Sequence, residues 1–436
     1  MTTDSDEPGL LPQVVDFTLS GYSPPYIDKV CCVFDNGLFP ELAVALVGQF
    51  KHVYYYSSWE QSFPRSSAML IGKGIEGVER IDSIWPHIDN IDVFAFADIL
   101  HGPLQVYLRS IGKPVWGSGL AESLELHRAA SKRWLRDLGL PVGPYRALHG
   151  MTELRRHLQS HDDQYVKISR SRGDMETFNS KSYELIQPRL DELEHALGPQ
   201  RDLTEFVVEE PIKAKAEVGY DGFTVDGRWP RYSLFGVEAK DQGYVGQVVP
   251  YSGMPRSLGY VNQKLAPLFK DLSYRGFFSS EIRVAEDNTP YLIDPCCRMA
   301  SPPGELYLYL ITNLAEVIWG GANGDLVDPK WRYEWGAQLV LHSDWAEHGW
   351  QPIRFDPALR EHVKLHYLTV IDGQHYYVPQ DVKFPEIGSV VAGGHTKAEA
   401  IGNVNKIAEQ VEGYDVSFNI QALEDAAADM EKLKAA

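Results

Sequence analysis

The chain has 436 residues, of which 44% are hydrophobic and 23% are charged, the ordinary balance of a globular protein with about two to four domains. Its formal net charge of −19 argues against a nucleic-acid groove or an anionic membrane surface as its partner. We find no apolar run near the roughly 20 residues of a membrane helix, and the acidic start does not resemble a signal peptide. The cysteines, at 31–32 and 296–297, lack zinc-ligand spacing and are too few for a disulfide scaffold, which favours a reducing, cytoplasmic location.

Short apolar segments alternate with segments of helical character through the first 120 residues. Strands are predicted at 29–34, 52–56, 91–97 and 115–118, and helices at 41–50 and 104–111. Strands that alternate with helices predict an α/β domain built on a parallel sheet.

The sequence from Gly72 to Gly77 spells GxGxxG. A dinucleotide site needs this motif directly after the first strand and at the start of a helix. Here the motif comes late, and the VERIDSIW that follows lacks a clean helical pattern. The motif therefore favours a structural turn, and a nicotinamide-dependent oxidoreductase stays open as an alternative.

The rest of the chain mixes strands and helices. Helices are predicted at 121–138, 182–197, 262–272, 305–318, 397–411 and 422–436, the last of them solvated. Strands are predicted at 164–169, 205–210, 232–239, 246–250, 338–342, 363–371 and 386–392, with a polar loop at 170–177 and a boundary at 320–329.

Residues 276–305 predict a β-hairpin that is followed by a loop, with turn residues at 286–288 and Pro295 ending the second strand. Pairing across this turn places Glu281 beside Asp294. Two adjacent carboxylates are unfavourable unless a cation lies between them, and Mg²⁺ with substrate phosphates suits such ligands. Arg298, on the loop, would meet a transferring phosphoryl group. An ordinary hairpin with polar residues at its end is the alternative.

Further charged residues fit around a nucleotide. Lys132 on a helix and Lys167 on a strand suit phosphate oxygens. Backbone groups after the strand that ends in Glu209 and Glu210 would read adenine, and a carboxylate such as Glu217 would hold ribose hydroxyls. Each residue alone is more often a surface charge, but together they predict an ATP and Mg²⁺ site.

The order of these stretches resembles the ATP-grasp superfamily and, within it, the phosphoribosylamine–glycine ligase family, along nearly the whole chain. The matching motifs are Ser131-Lys132 with Gly139-Leu140-Pro141, QYVKIS at 164–169, VVEEPIKAKAE at 207–217, Tyr274-Arg275-Gly276, Asp294 to Arg298, Trp335-Gly336-Ala337, and GSVVAGGHTKAEAIGNVNKIA at 388–408. No single motif is specific, but their common order is.

The resemblance implies an ATP-grasp fold, α/β with an α+β grasp core. It implies a Rossmann-like domain at 1–120, an ATP-grasp domain at 121–325 with a lid at about 127–212 and a core at 213–325, and a small α+β domain at 326–436. It implies a ligase that joins a small-molecule carboxylate to an amine through an acyl phosphate, as a monomer or homodimer. The implied roles are catalysis for Arg298, Lys132 and Lys167; ATP binding for Lys132, Lys167, Glu209, Glu210, Ile212 and Glu217; and Mg²⁺ binding for Glu281 and Asp294. Arg283 and Glu305 are candidates for binding the carboxylate or amine substrate, with ordinary ion pairs at the rim as the alternative.

The chain departs from the family pattern at three places that affect substrate and metal. Cys296 replaces the usual asparagine, and a neutral thiol is a poor Mg²⁺ ligand. The loop at 170–177 has one glycine where the family has several, so that either Arg170 or Arg172 would bind phosphate instead or the loop would close less tightly. The sequence at 243–255 replaces the glycine-rich stretch beside the acceptor substrates, so phosphoribosylamine and glycine are not carried over. A nucleotide-binding pseudoenzyme is therefore a further alternative.

Overall fold

The protein is described by a computed structural model over residues 24–58, 67–169, 177–380 and 385–435. Within these ranges the strands form four sheets, of five, four, eight and four strands along the chain. The predicted mixture of a parallel α/β sheet with antiparallel sheets is confirmed.

The first sheet is parallel, with the strand order β3-β2-β1-β4-β5. Its strands are β1 (Val30–Asp35), β2 (His52–Ser57), β3 (Val78–Arg80), β4 (Val93–Phe96) and β5 (Val115–Trp116), with helices α1 (Pro40–Leu46) and α2 (Gly102–Ser110). The central strand β1 is buried on both faces, since Cys31 packs into one hydrophobic core and Cys32 into another. Such two-sided burial is typical of parallel sheets covered by other elements.

The GxGxxG motif forms turns that lead into strand β3 and not into a helix. Gly72, Gly74 and Gly77 all have positive φ angles, which glycine adopts without strain. At Gly74 any side chain would collide with the carbonyl oxygen of Val370. The motif is therefore a packed structural turn, and the oxidoreductase alternative finds no support.

The second sheet is antiparallel, with the order β6-β9-β7-β8. Two helices precede this sheet in the chain, α3 (Ser123–Leu126) and α4 (Arg128–Asp137). The strands of the sheet are β6 (Tyr145–His149), β7 (Gln164–Ile168), β8 (Thr177–Ser180) and β9 (Glu205–Glu209). The helices between them are α5 (Gly150–Leu158) and α6 (Tyr183–Leu197). Helices α5 and α6 bury their apolar side chains on one face of the sheet. On β7 and β9, Lys167 pairs with Val207 and Tyr165 pairs with Glu209, so Lys167 and Glu209 are diagonal neighbours on one face.

The largest sheet has the order β14-β13-β10-β11-β12-β15-β20-β17. Six of its strands come first in the chain: β10 (Ala214–Val225), β11 (Tyr232–Ala239), β12 (Gly243–Pro250), β13 (Arg275–Ala285), β14 (Pro290–Cys296) and β15 (Trp335–His342). The helices between these strands are α7 (Arg256–Asp271), α8 (Gly304–Leu310) and α9 (Leu314–Ala322). The remaining strands are β16 (Gln351–Arg354), β17 (Val363–Leu365), β18 (Leu368–Ile371), β19 (Gln374–Tyr377), β20 (Glu386–Gly394) and β21 (Glu412–Gly413), with helices α10 (Lys397–Ala408) and α11 (Ile420–Ala435). Strands β12 and β15, which lie on either side of the domain boundary predicted at residue 326, are therefore neighbours in one sheet.

Three elements predicted as continuous are interrupted. The helix at 121–138 breaks at His127, whose φ of −112° and ψ of 75° are not helical. The helix at 305–318 breaks before Asn313, whose side chain donates to the carbonyl oxygen of Asp328 and accepts from the backbone N–H of Lys330. The strand at 363–371 breaks at Tyr367, which has a positive φ and donates its N–H to the carbonyl oxygen of Gly37. In each case tertiary contacts override the local pattern.

Two other expectations were wrong. Pro295 does not end the second strand of the hairpin, which continues to Cys296. Strand β14 lies at the edge of its sheet, where proline leaves the ladder intact. Helix α11 is not solvated, since Leu423 and Met430 are fully buried and the helix packs on strands β11 and β12.

Candidate active site

Glu281 and Asp294 are direct partners in the register of strands β13 and β14, as the hairpin prediction requires. Both line a cavity of about 620 Å³. Asp294 Oδ1 accepts hydrogen bonds from Arg128 Nη1 at 2.7 Å and from Lys167 Nζ at 3.1 Å. Lys167 Nζ also donates to the carbonyl oxygen of Ile293 at 2.8 Å. The carboxylate pair thus joins the large sheet to the sheet of strand β7.

The environments of the two carboxyl groups push their pKa values apart. Burial alone would raise the pKa of Asp294, but Lys167 and Arg128 outweigh it and lower the pKa to about 2. Burial, with the nearby charges of Glu217 and Asp294, raises the pKa of Glu281 to about 7. One carboxylate is therefore fully ionised at neutral pH, and the other gains from any cation that binds beside it.

The donor set fits Mg²⁺ with substrate oxygens better than a site made of protein ligands alone. Across the described ranges we find no group of three or more His, Cys, Asp or Glu side chains that could hold a metal ion. Mg²⁺ in phosphate-transfer sites takes one or two carboxylates and fills its octahedron with phosphate and water oxygens. Cys296 also lines the cavity, but burial raises the pKa of its thiol to about 12, and the thiol donates to the carbonyl oxygen of Arg298.

The two predicted lysines meet on one glutamate. Lys132 Nζ donates to Glu209 Oε2 at 2.8 Å, and Lys167 Nζ lies 3.8 Å from Glu209 Oε1. All three side chains are buried. Burial lowers the pKa of Lys132, although Glu209 opposes this effect. Glu209 therefore lies between the two lysine ammonium groups and holds them in place.

The other residues predicted to bind the nucleotide are open to solvent. Glu210 is exposed, and its backbone N–H donates to the carbonyl oxygen of Pro144. Ile212 is half-buried. Glu217 is exposed and accepts a hydrogen bond from Arg283 Nε at 3.1 Å. These residues follow strand β9 or lie on β10, at one side of the carboxylate pair.

The two predicted substrate residues differ in position. Arg283 Nε forms an ion pair with Glu217 Oε2 and also lies 3.9 Å from Glu281 Oε1. Glu305 is 1% exposed and accepts hydrogen bonds from Ser301 and Gln338 and a contact from His366 Nε2 at 2.8 Å. Ser301 lines the cavity and donates its hydroxyl to Glu305, whereas Glu305 does not line the cavity itself.

Arg298 lines the same cavity, where it is held by acidic groups from other elements. Its Nε donates to Glu125 Oε1 at 3.0 Å and lies 3.9 Å from Asp98 Oδ1. Glu125 Oε2 also accepts the backbone N–H of Cys297 at 2.7 Å. The guanidinium is thereby fixed between the parallel sheet and the end of strand β14.

Sequence reasoning missed Arg128, Glu125 and Asp98. Arg128 precedes Lys132 by four residues, which is the spacing of neighbours on one helix face, and this signal was available. Glu125 and Asp98 reach the site from a separate short helix and from the end of a parallel strand, which sequence spacing does not reveal. The phosphate-loop residues 170–176, with Arg170 and Arg172, lie outside the described residues.

Comparisons with known sequences find little similarity to this chain. No protein-family model matches the chain. Among curated proteins, the bifunctional enzyme MurC/Ddl of Chlamydia trachomatis is 34% identical over 94 residues, which is 20% of this chain and 11% of that protein. The chain thus spans only a small part of this relative, whose activity is not transferred.

Solved structures match over nearly the full length, at low identity. Phosphoribosylamine–glycine ligase of Thermotoga maritima has a TM-score of 0.68 at 16% identity, covering 89% of this chain and 98% of that one. The biotin carboxylase domain of Hydrogenobacter thermophilus 2-oxoglutarate carboxylase, with bound MgADP, has a TM-score of 0.63 at 10% identity, covering 90% and 92%. L-amino acid ligase of Bacillus licheniformis has a TM-score of 0.56 at 12% identity, covering 90% and 99%.

In the described part of the chain, no helix is both long enough and apolar enough to span a membrane. The fold expected from the sequence motifs is confirmed by these matches, and the chain has the fold of the ATP-grasp enzymes.

Proposed function

We propose that this protein is an ATP-dependent carboxylate–amine ligase that forms an amide through an acyl phosphate. The observation that carries the proposal is Asp294, held between Lys167 and Arg128 beside its register partner Glu281 in a cavity that Arg298 also lines. Structural neighbours include ligases that join carboxylates to amines, and one of them was solved with MgADP.

The residues divide between the phosphates and the nucleoside. Lys132 and Lys167 would bind phosphate oxygens as point charges, with Glu209 fixing both ammonium groups. Glu217 would hold the ribose, and backbone groups from Glu210 to Ile212 would face the adenine. Mg²⁺ held by Glu281 and Asp294 would neutralise charge on the phosphates.

The reaction has two steps. A substrate carboxylate oxygen attacks the γ-phosphorus of ATP while the bond to the bridging oxygen breaks, which gives an acyl phosphate and ADP. Arg298 and the two lysines stabilise the charge that develops on the phosphoryl oxygens. The amine nitrogen then attacks the acyl carbon, phosphate leaves, and the nitrogen loses a proton to solvent. Positioning and electrostatics suffice, and no covalent nucleophile of the protein is needed.

The test is ADP release over a matrix of carboxylates and amines, with Asp294→Asn as the inactive control. We expect release that requires both a carboxylate and an amine and is lost in the variant. ATP binding without release in any combination would favour the pseudoenzyme, whose motivation is the neutral thiol of Cys296 at a position where the family carries an oxygen ligand.

A further inference from the structure

The cavity beside the metal pair has an acidic end that the proposed roles do not use. Asp221 and Glu238 line it together with Tyr244 and Ser279. Asp221 is the register partner of Ser279 across strands β10 and β13, and Glu238 is the register partner of Tyr244 across β11 and β12. The Tyr244 hydroxyl donates to Asp221 Oδ2 at 2.8 Å, which joins the two pairs into one cluster.

The charges of this cluster are not balanced by the protein. Asp294 is paired with Lys167 and Arg128, and Glu217 is paired with Arg283. In contrast, we find no ion pair to Asp221 or Glu238 within the residues that the structure describes. Burial raises the pKa of Asp221 to about 6, which leaves it mostly ionised at neutral pH, and burial together with the charges of Asp221 and Asp241 raises the pKa of Glu238 to about 8. A cation that binds between the two carboxyl groups would therefore favour the ionised form of both.

An unused hydroxyl group lies at the same place. Ser279 is 7% exposed and lines the cavity. Its hydroxyl group is close enough to Asp221 to lower the pKa of that carboxyl group, yet it makes no hydrogen bond of ordinary geometry within the described residues. A buried polar group without such a bond costs free energy, and a ligand that supplies a donor would recover it.

An ammonium group fits this set of acceptors. It carries three donors and no acceptor, and the cluster offers two carboxylates and a hydroxyl oxygen. A ligand carboxylate fits poorly, because Arg298 is already held by Glu125 and Lys215 donates to the side chain of Asn288. The acidic end therefore favours an amine without a carboxylate.

The spacing indicates where the second end of such a ligand lies. Ser279 and Glu281 are two residues apart on strand β13, which corresponds to about 7 Å along the strand. A short diamine spans such a distance. Its anchored end would be an ammonium ion at Asp221 and Glu238, and its other end, as the free amine, would lie beside the metal pair where the acyl phosphate forms.

We propose that the acceptor substrate is a short diamine, or a related amine with a second cationic group and no carboxylate, anchored by Asp221, Glu238 and Ser279. This inference rests on the proposed ligase function, because it assigns the amine of that reaction.

The experiment is calorimetric titration of the full-length protein, loaded with Mg²⁺ and a non-hydrolysable ATP analogue, with putrescine, n-butylamine and glycine. Putrescine should bind about tenfold or more tightly than either of the others, since only it can place one ammonium group at the acidic end and a second nitrogen beside the metal pair without a carboxylate. Glu238→Gln and Asp221→Asn should each remove this preference, whereas Glu286→Gln, on the exposed turn of the hairpin, should keep it.

Several outcomes would overturn the inference. Putrescine that binds no better than n-butylamine would show that the second cation is not recognised. Glu238→Gln with an unchanged preference would do the same, and because Glu238 is exposed to the cavity, this variant is informative even if Asp221→Asn unfolds. A loss of Mg²⁺ affinity in Asp221→Asn without a change for putrescine would identify a metal site instead. Failure to bind the ATP analogue would contradict the proposed function itself, and it is measured separately in the loading step.

Discussion

Lys167 and Asp294 form an ion pair of 3.1 Å between strand β7 of the four-stranded sheet and strand β14 of the large sheet. The pair connects the residues assigned to phosphate with those assigned to Mg²⁺. The lysine side chain is 3% exposed and that of Asp294 is 34% exposed, so the lysine charge in particular lacks water as an alternative partner. Binding of ATP and Mg²⁺ would replace this contact with contacts from each residue to the ligand.

Removal of either lysine should weaken nucleotide binding. Lys132→Ala and Lys167→Ala should each cost about 1.5–3 kcal/mol in ATP affinity, the range for hydrogen bonds to charged groups. Lys270→Ala, on the exposed side of helix α7, is the matched control and should bind ATP normally. Melting temperatures must accompany these titrations, because both lysines are buried. Unchanged ATP affinity in both folded variants would falsify their assignment.

Glu217 should act on the nucleoside and not on the phosphates. Glu217→Ala should weaken ATP binding while leaving inorganic triphosphate binding nearly unchanged, because the carboxylate is assigned to the ribose hydroxyls. Arg283→Ala removes the ion-pair partner of Glu217 while leaving the carboxylate in place, and it serves as the control. Equal losses for ATP and triphosphate would show that Glu217 acts on the phosphates or on folding.

The stability of the metal-free protein should depend on pH through Glu281. Its pKa is raised from 4.5 to about 7 in the folded state, so the folded protein binds the proton more tightly than the unfolded chain does. Unfolding in this window releases a proton, and stability should therefore fall as the pH rises from about 4.5 to 7. Asp294, whose pKa is lowered to about 2, stays ionised and adds no slope there.

Glu281→Gln should flatten this pH dependence of the melting temperature, and Glu286→Gln should not. Mg²⁺ with the ATP analogue should stabilise the wild type most above pH 7, where no proton has to be displaced. A wild-type profile identical to that of Glu281→Gln would contradict the raised pKa.

Much of the hairpin was predictable from the sequence, because the turn residues at 286–288 fix the pairing of the two strands as far as Ile282. A register shift between Ile282 and Glu281 then brings Asp294 directly opposite Glu281, and the turn residues alone do not determine this shift. The lysines were identified by their order along the chain. The partners of these residues were not predictable in the same way. Arg128 and Glu125 face different parts of the site because the helix breaks at His127, and local sequence pattern favours a continuous helix there.

The acidic end of the cavity was missed for a different reason. Asp221 and Glu238 lie 17 positions apart on neighbouring strands, and only the register of four strands places them with Tyr244 and Ser279. Glu305 was a plausible substrate residue by position, but its side chain is turned inward by Gln338 and His366 from the region after residue 326. Such contacts between distant segments follow from the fold and not from local pattern.

Cys296 lines the cavity opposite Ser279, and we expect it to act as a lost metal ligand and not to determine the amine preference. It lies two positions after Asp294 on strand β14 and so faces the same side of the sheet. Cys296→Asn restores an oxygen donor and should lower the Mg²⁺ concentration needed for half-maximal ADP release. A change in amine preference with the same Mg²⁺ dependence would place Cys296 in the acceptor pocket instead.

If Glu281 and Asp294 share Mg²⁺ in an ATP-dependent ligase, ADP release measured against Mg²⁺ concentration should separate the wild type from Asp294→Asn. Asp287→Asn, on the exposed turn of the same hairpin, is the matched control and should behave as wild type. We expect Asp294→Asn to stay folded but to lose turnover at every Mg²⁺ concentration, because it removes an ionised ligand that two cations hold in place. An Asp294→Asn variant with wild-type turnover and wild-type Mg²⁺ dependence would contradict the metal assignment and the mechanism built on it.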